Sequence, residues 1–121
     1  MEKVTYNKRT VGNQKEKEAC AYLEKHGYQI ICSNFRCKFG EVDIIAKEGE
    51  YLVFIEVKYR KTTKNGMPQE AVNFAKQKRI TITAKYYLYQ NGLGDTTPCR
   101  FDVVEILDKE IKVIKDAFDA K

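Results

Sequence analysis

The chain has 121 residues, 43% of them hydrophobic and 32% charged, and a formal net charge of +5. That length suits one domain of about 100–200 residues, and it can bury roughly two-thirds of the unfolded surface with no disulfide or metal staple. The longest strictly apolar run, Tyr51 to Ile55, is far short of the ~20 residues of a bilayer span, and Met1 to Thr10 has no apolar signal core; the expectation is a soluble, cytoplasmic chain.

Residues 1–11 read as a loose, basic arm, and 12–121 as one domain. A helix is expected from Gln14 to His26, where Ala19, Tyr22, Leu23 and His26 follow helical spacing and Gly27 suits a C-cap. His26 places a ring nitrogen at that helix end, where a cation suits the dipole. Tyr28 to Phe35 reads as a strand. Glu41 to Lys47 and Tyr51 to Tyr59 read as two more, joined as a hairpin at Glu48-Gly49-Glu50. Arg60 to Met67 is a polar, basic loop. Pro68 opens a helix to about Gln90, stopped by Asn91-Gly92, with an apolar stripe of Val72, Ala75, Ile82, Tyr86 and Tyr89. Arg100 to Leu107 and Glu110 to Ile114 close the chain as a strand pair. The order is α-β-β-β-α-β-β.

The basic excess is concentrated. Between Arg60 and Gln90 lie Arg60, Lys61, Lys64, Lys76, Lys78, Arg79 and Lys85 against the single acid Glu70. Such a patch beside a near-neutral body points to a polyanion, most often nucleic acid, or to a solvated helix face. The cysteines, Cys20, Cys32, Cys37 and Cys99, show no C-x-x-C spacing, and the one histidine has no matching partners. They read as reduced thiols rather than a zinc site.

The hairpin holds the chemistry. A turn symmetric about Gly49-Glu50 places Asp43 opposite Glu56, with Cβ atoms about 5 Å apart. Lys58, two residues on, shares that face, and Val57 points the other way. Two facing carboxylates repel unless a cation lies between them. Mg²⁺ takes one or two carboxylates plus waters and phosphate, and a nearby ammonium can act on a metal-bound water or on the charged transition state. The plainer alternative is a half-solvated strand with Asp43 paired to Lys58. Glu16 lies on the inward face of the first helix, either as a partner of the N-terminal dipole or as a third carboxylate aimed at the hairpin. Glu41 shares the Asp43 face, as a carboxylate supporting the site or a solvated one. Asp102 reads as structural, paired with Arg100 or Arg79, with catalysis as the lesser alternative. Tyr86, Tyr87 and Tyr89 read as core aromatics, any outward one being free to stack on bases.

With Asp43 and Glu56-Val57-Lys58 in this order of elements, the chain resembles the PD-(D/E)XK nuclease superfamily. Gly12, Glu16-x-x-Ala19, Tyr22-Leu23, Gly27-Tyr28, Asn34-Phe35-Arg36 and Gly40-Glu41-Val42-Asp43 resemble more closely the YraN-like family of bacteria. So do Phe54 to Arg60, Glu70-Ala71-Val72, Lys76, Arg79 and Arg100 to Val104. The resemblance implies a restriction-endonuclease-like α/β fold, an α-β-β-β-α-β core whose mixed central sheet is flanked by helices, similar to archaeal Holliday junction resolvases. It implies Mg²⁺- or Mn²⁺-dependent hydrolysis of DNA phosphodiesters, at branched or junction DNA, by a homodimer. Asp43, Glu56 and the Val57 carbonyl are then metal ligands, and Glu16 completes the set. Lys58 acts on the water; Arg60, Lys61, Lys64, Lys76 and Arg79 meet the nucleic acid. Val42 replaces the superfamily's proline, and Lys15 stands where the family has glycine. The rival expectation is a nucleic-acid-binding accessory module that does little or no cleavage.

Overall fold

A computed structural model describes the backbone of residues 7–60 and 72–121, with side chains from residue 14 onward. The elements are α1 (Asn7–Lys25), β1 (Gln29–Cys37), β2 (Gly40–Glu48), β3 (Tyr51–Arg60), α2 (Phe74–Gln90), β4 (Cys99–Leu107) and β5 (Glu110–Ile114). The order matches the sequence reading. The boundaries differ at both helices. α1 begins at Asn7, so part of the expected arm is helical. α2 begins at Phe74 rather than Pro68, because Asn73 is its N-cap: Asn73 is extended, and its side chain accepts from the Lys76 amide at 2.9 Å. The basic loop and Pro68 lie outside the described residues.

The strands form one mixed sheet in the order β1-β2-β3-β4-β5. β3 and β4 are parallel, and the other pairs are antiparallel. A parallel pair needs a crossover, which α2 supplies. The central strands β2, β3 and β4 are buried on both faces, whereas β1 and β5 have no fully buried residue. Val53 and Ile55 of β3 pack with Ala19 and Leu23 of α1, while Leu52 and Phe54 pack with Ile80 and Ala84 of α2. This period-2 split explains why β3 is so nearly continuous in apolar residues. Each fully buried Ile, Leu or Phe contributes about 1.5–3 kcal/mol.

The expected apolar stripe of α2 is corrected. Ile82 is 39% exposed and Tyr89 81%, and the buried helix residues are Ile80, Thr81, Thr83 and Ala84. The threonines disguised this face. Their hydroxyls donate to the carbonyls of Gln77 and Arg79, each at 2.8 Å, which leaves their methyl groups to pack. Of the three tyrosines, Tyr87 joins the core, edge-on to Phe35 and Phe54.

Gly40 sets how closely β2 approaches α2. Its φ is +149°, and a Cβ built there would lie 3.1 Å from Thr83 Oγ1. Only glycine meets both demands without displacement.

Candidate functional site

The hairpin register is the one expected. Ile44 pairs with Ile55, Ile45 with Phe54, and Glu48 with Tyr51. The β2–β3 ladder ends at Ile44 and Ile55, and the next pair, Asp43 and Glu56, stands where the strands separate. Asp43 closes the gap with its side chain: Oδ2 accepts from the Val57 amide at 2.8 Å. The β1–β2 pairing also skips there, running from Ser33–Ile44 to Phe35–Val42 past Asn34 and Asp43, and Asn34 has a left-handed φ of 56°. Face alternation slips with it. Val42 and Ile45 lie in the core on the α2 side, and Ile44 in the core on the α1 side.

Glu56 is 6% exposed. Its Oε2 takes two ammonium groups, Lys76 Nζ at 2.7 Å and Lys58 Nζ at 3.5 Å. Lys58 therefore shares the Glu56 face, as the spacing required. Its ammonium pairs with Glu56, so the alternative of an Asp43–Lys58 pair gives way to this one. Burial pushes the Lys58 ammonium below its usual range, partly offset by Glu56, and the neighbouring Lys76 adds to the lowering. Burial also opposes charge on Lys76, but the hydrogen bond and charge of Glu56 outweigh it and hold its pKa up. Val57 points away into the α1-side core.

Asp43 shows the electrostatic state of the site. Burial first, then the charges of Glu56 and Glu16, push its carboxyl up to about 7, against the pull of the Val57 amide and Lys76. Glu16 is raised as well, chiefly by burial, with Asn34 hydrogen bonding opposing and the charges of Glu41 and Glu56 adding to the rise. Its Oε1 is buried and has no hydrogen-bond partner. The start of α1 at Asn7 puts Glu16 in the third turn, which removes the dipole-partner reading. Lys15 turns elsewhere, pairing with Glu18 at 3.5 Å and lying over the Tyr59 ring. Three carboxyl groups thus influence one another from α1, β2 and β3. Among the described residues no three acid, His or Cys side chains are gathered into a ready metal cage. Mg²⁺ as a rule keeps several waters and takes only one or two carboxylates, with phosphate, rather than an all-protein cage.

Beside Glu56 lies a cleft of about 390 Å³ lined by Arg36, Cys37, Gly40, Glu41, Lys76, Arg79 and Ile80. Arg79 lines it, and Lys76 lies between the cleft and Glu56. Arg36 belongs to the Asn34-Phe35-Arg36 motif but is not among the expected site residues. It pairs with exposed Glu41 at 3.0 Å, so Glu41 is a solvated residue of the cleft rim. Arg60 ends β3, and its carbonyl accepts from the Asp108 amide at 2.9 Å. Lys61 and Lys64 lie outside the described residues. Asn34, with a left-handed backbone and a side chain bonded to Glu16, is not among the expected site residues; the signals available were its place in the family motif and an Asn inside a strand pattern.

Asp102 belongs to a separate cluster. It is fully buried and accepts from Tyr28 Oη at 2.8 Å, from Arg100 Nε at 2.9 Å and Nη2 at 2.8 Å, and from the Asp116 amide at 2.9 Å. Arg100 and Lys115 both reach Glu48. Asp102 is structural and pairs with Arg100.

The sequence pattern of the Uncharacterised protein family UPF0102 matches residues 15–106. The chain belongs to that family. This is the YraN-like group to which the motifs pointed, and the match takes in Glu16, Asp43, Glu56, Lys58, Lys76 and Arg79. A UPF0102 protein of Lachnoclostridium phytofermentans is 57% identical over 114 residues, covering 94% of this chain and 97% of the relative. UPF0102 proteins of Syntrophus aciditrophicus and Caldicellulosiruptor saccharolyticus are 47% and 46% identical; the first covers 97% of this chain and 94% of its own, the second 93% and 99%. Among the described residues no helix is long and apolar enough to cross a membrane.

Proposed function

We propose that this UPF0102 member is a metal-dependent endonuclease of the PD-(D/E)XK kind. It hydrolyses DNA phosphodiester bonds, with branched or junction DNA as the substrate class its family resemblance implies. One observation carries the reading. Asp43 at the strand fork bonds the Val57 amide across from Glu56-x-Lys58 on the next strand, so two carboxyl groups and an ammonium converge at one point of the sheet, where burial and the charge of Glu56 push the Asp43 carboxyl up to about 7. The residues fit a divalent ion: they are hard oxygen donors, and buried Glu16 Oε1 lacks a partner.

Asp43 and Glu56 would hold the ion, with the Val57 carbonyl as a backbone donor and Glu16 behind them. Such an ion, when bound, lowers the pKa of a water and offsets charge on a phosphate. Lys58 is held beside Glu56 with its charge disfavoured by burial, so it can exchange a proton with an attacking water or steady the phosphorane through its ammonium. Arg79 and Arg36 offer the cleft's cations to phosphate oxygens.

A second reading has its own observation. Two lysines already neutralise Glu56, so the cluster is also consistent with a nucleic-acid-binding accessory module that does little or no cleavage. The deciding experiment is cleavage of labelled linear, single-stranded, flapped and four-way-junction DNA with Mg²⁺, Mn²⁺ or EDTA, beside Lys58→Ala. The nuclease reading expects cleavage that needs both metal and Lys58. Junction binding without cleavage would move the conclusion to the binding module.

A further inference from the structure

We propose that Lys76 is an exchangeable counter-ion that couples cation binding at the carboxylates to phosphate binding in the cleft. This inference rests on the metal reading above and adds a residue and a regulation to it. Lys76 is anchored by its backbone, whose amide is fixed by the Asn73 cap at the start of α2. Its side chain, 35% exposed, lies between Glu56 and the cleft. In this structure Nζ lies 2.7 Å from Glu56 Oε2, the closer of the two ammonium groups on that oxygen. The same side chain lines the cleft with Arg36 and Arg79.

A monovalent ammonium on Glu56 partly replaces a divalent ion and shields the carboxylate until one arrives. A divalent ion placed at Asp43 and Glu56 competes with it electrostatically and turns Lys76 toward the cleft. There it makes a third cation beside Arg36 and Arg79, suited to a phosphate. A phosphate bound first draws Lys76 off Glu56 and leaves that carboxylate short of charge. Each ligand therefore favours the same displacement, and by linkage each strengthens the other by one common factor. Lys58, on the same strand as Glu56, has no such second position in the described cleft.

The test reads binding, not cleavage. Mn²⁺ is titrated into wild type, Lys76→Met and the like-charge control Lys78→Met, with and without a phosphorothioate DNA duplex. Lys78 is an exposed residue of α2 outside the cleft lining. The proposal expects Lys76→Met to bind Mn²⁺ at least about fivefold more tightly without DNA, and Lys78→Met to change little. It expects DNA to strengthen Mn²⁺ binding to wild type and to leave Lys76→Met nearly unaffected. In lysine-labelled wild type, the Lys76 Nζ resonance should move in step with Mg²⁺ saturation, a reading that needs no variant to fold. Equal gains in the two variants, retained coupling in Lys76→Met, or an unmoved Lys76 resonance would each overturn the exchange and leave the metal site standing. No Mn²⁺ binding to any of the three proteins would overturn the metal reading and the exchange together.

Discussion

The Val57 amide donates to Asp43 Oδ2 at 2.8 Å, just beyond the last β2–β3 ladder pair, Ile44 and Ile55. A carboxylate has taken the place of a strand carbonyl. The bond fixes the width of the fork, because further separation of the strands would leave a part-buried amide unpaired. The site is therefore built into the sheet, and its carboxyl groups are positioned before any ligand arrives.

That placement sets a pH dependence. The unfolded chain releases the Asp43 proton near pH 4, while the folded protein keeps it to about 7. Between those values the native state holds the extra proton, so metal-free stability contributed by this group falls as pH rises. Asp43→Asn keeps an oxygen for the Val57 amide and has no such proton. Its melting temperature in EDTA, relative to wild type, should climb from pH 4 to pH 8. Mg²⁺ affinity of wild type should rise through pH 7, since the ion must displace that proton. Thermal unfolding and calorimetry across this range check both, and a pH-independent difference between the proteins would refute the assignment.

Lys58→Ala should lower the rate of DNA cleavage by about 10²–10⁴-fold, the usual size of a lost proton-transfer group. DNA affinity should change little, since Lys58 stands beside Glu56 and not in the lining of the cleft. Single-turnover cleavage beside equilibrium binding separates the two effects. Equal losses in both would make Lys58 a binding residue.

Much of this was legible in the sequence for local reasons. The symmetric turn at Gly49-Glu50 fixed which residues of the hairpin face one another, and the strict period of 2 carried Lys58 to the Glu56 side. What escaped was non-local. No pattern in α2 says that Lys76 meets Glu56, because the meeting depends on how the crossover seats the helix. The α2 face was misread because Thr81 and Thr83 are polar by composition and apolar once their hydroxyls are bonded to the helix backbone. The state of Glu16 depends on a helix start at Asn7 that residues 7–13, with Val11 their one large apolar side chain, do not signal.

Gly40→Ala should destabilise the fold by roughly 1–3 kcal/mol, combining an unfavourable φ with a Cβ pressed on Thr83 Oγ1. Because Thr83 belongs to α2, relief requires the helix to move from β2 and to carry the cleft wall with it. The expected readout is a lower melting temperature together with weaker DNA binding. An unchanged melting temperature would show that the approach of β2 to α2 is not tight.

Asp102→Ala should cost about 3–5 kcal/mol, the usual penalty for removing one partner of a buried charged cluster, since Arg100, Tyr28 Oη and the Asp116 amide all lose an acceptor. Mn²⁺ affinity of the folded fraction should match wild type, because no Asp102 contact reaches Asp43 or Glu56. A selective loss of Mn²⁺ binding would make Asp102 part of the functional site.

Arg79→Ala tests the cleft as a phosphate surface. If Arg79 neutralises one phosphate, its loss should reduce the slope of log affinity against log salt by about 1 and weaken binding similarly for DNA of any sequence. The fold should tolerate the change, since Arg79 is exposed and its structural part, the carbonyl that accepts from Thr83, is backbone. Binding titrations between low and moderate salt decide it. A slope equal to that of wild type would place the bound phosphates away from Arg79, and the cleft of Arg36 and Lys76 would lose its claim to the backbone of the nucleic acid.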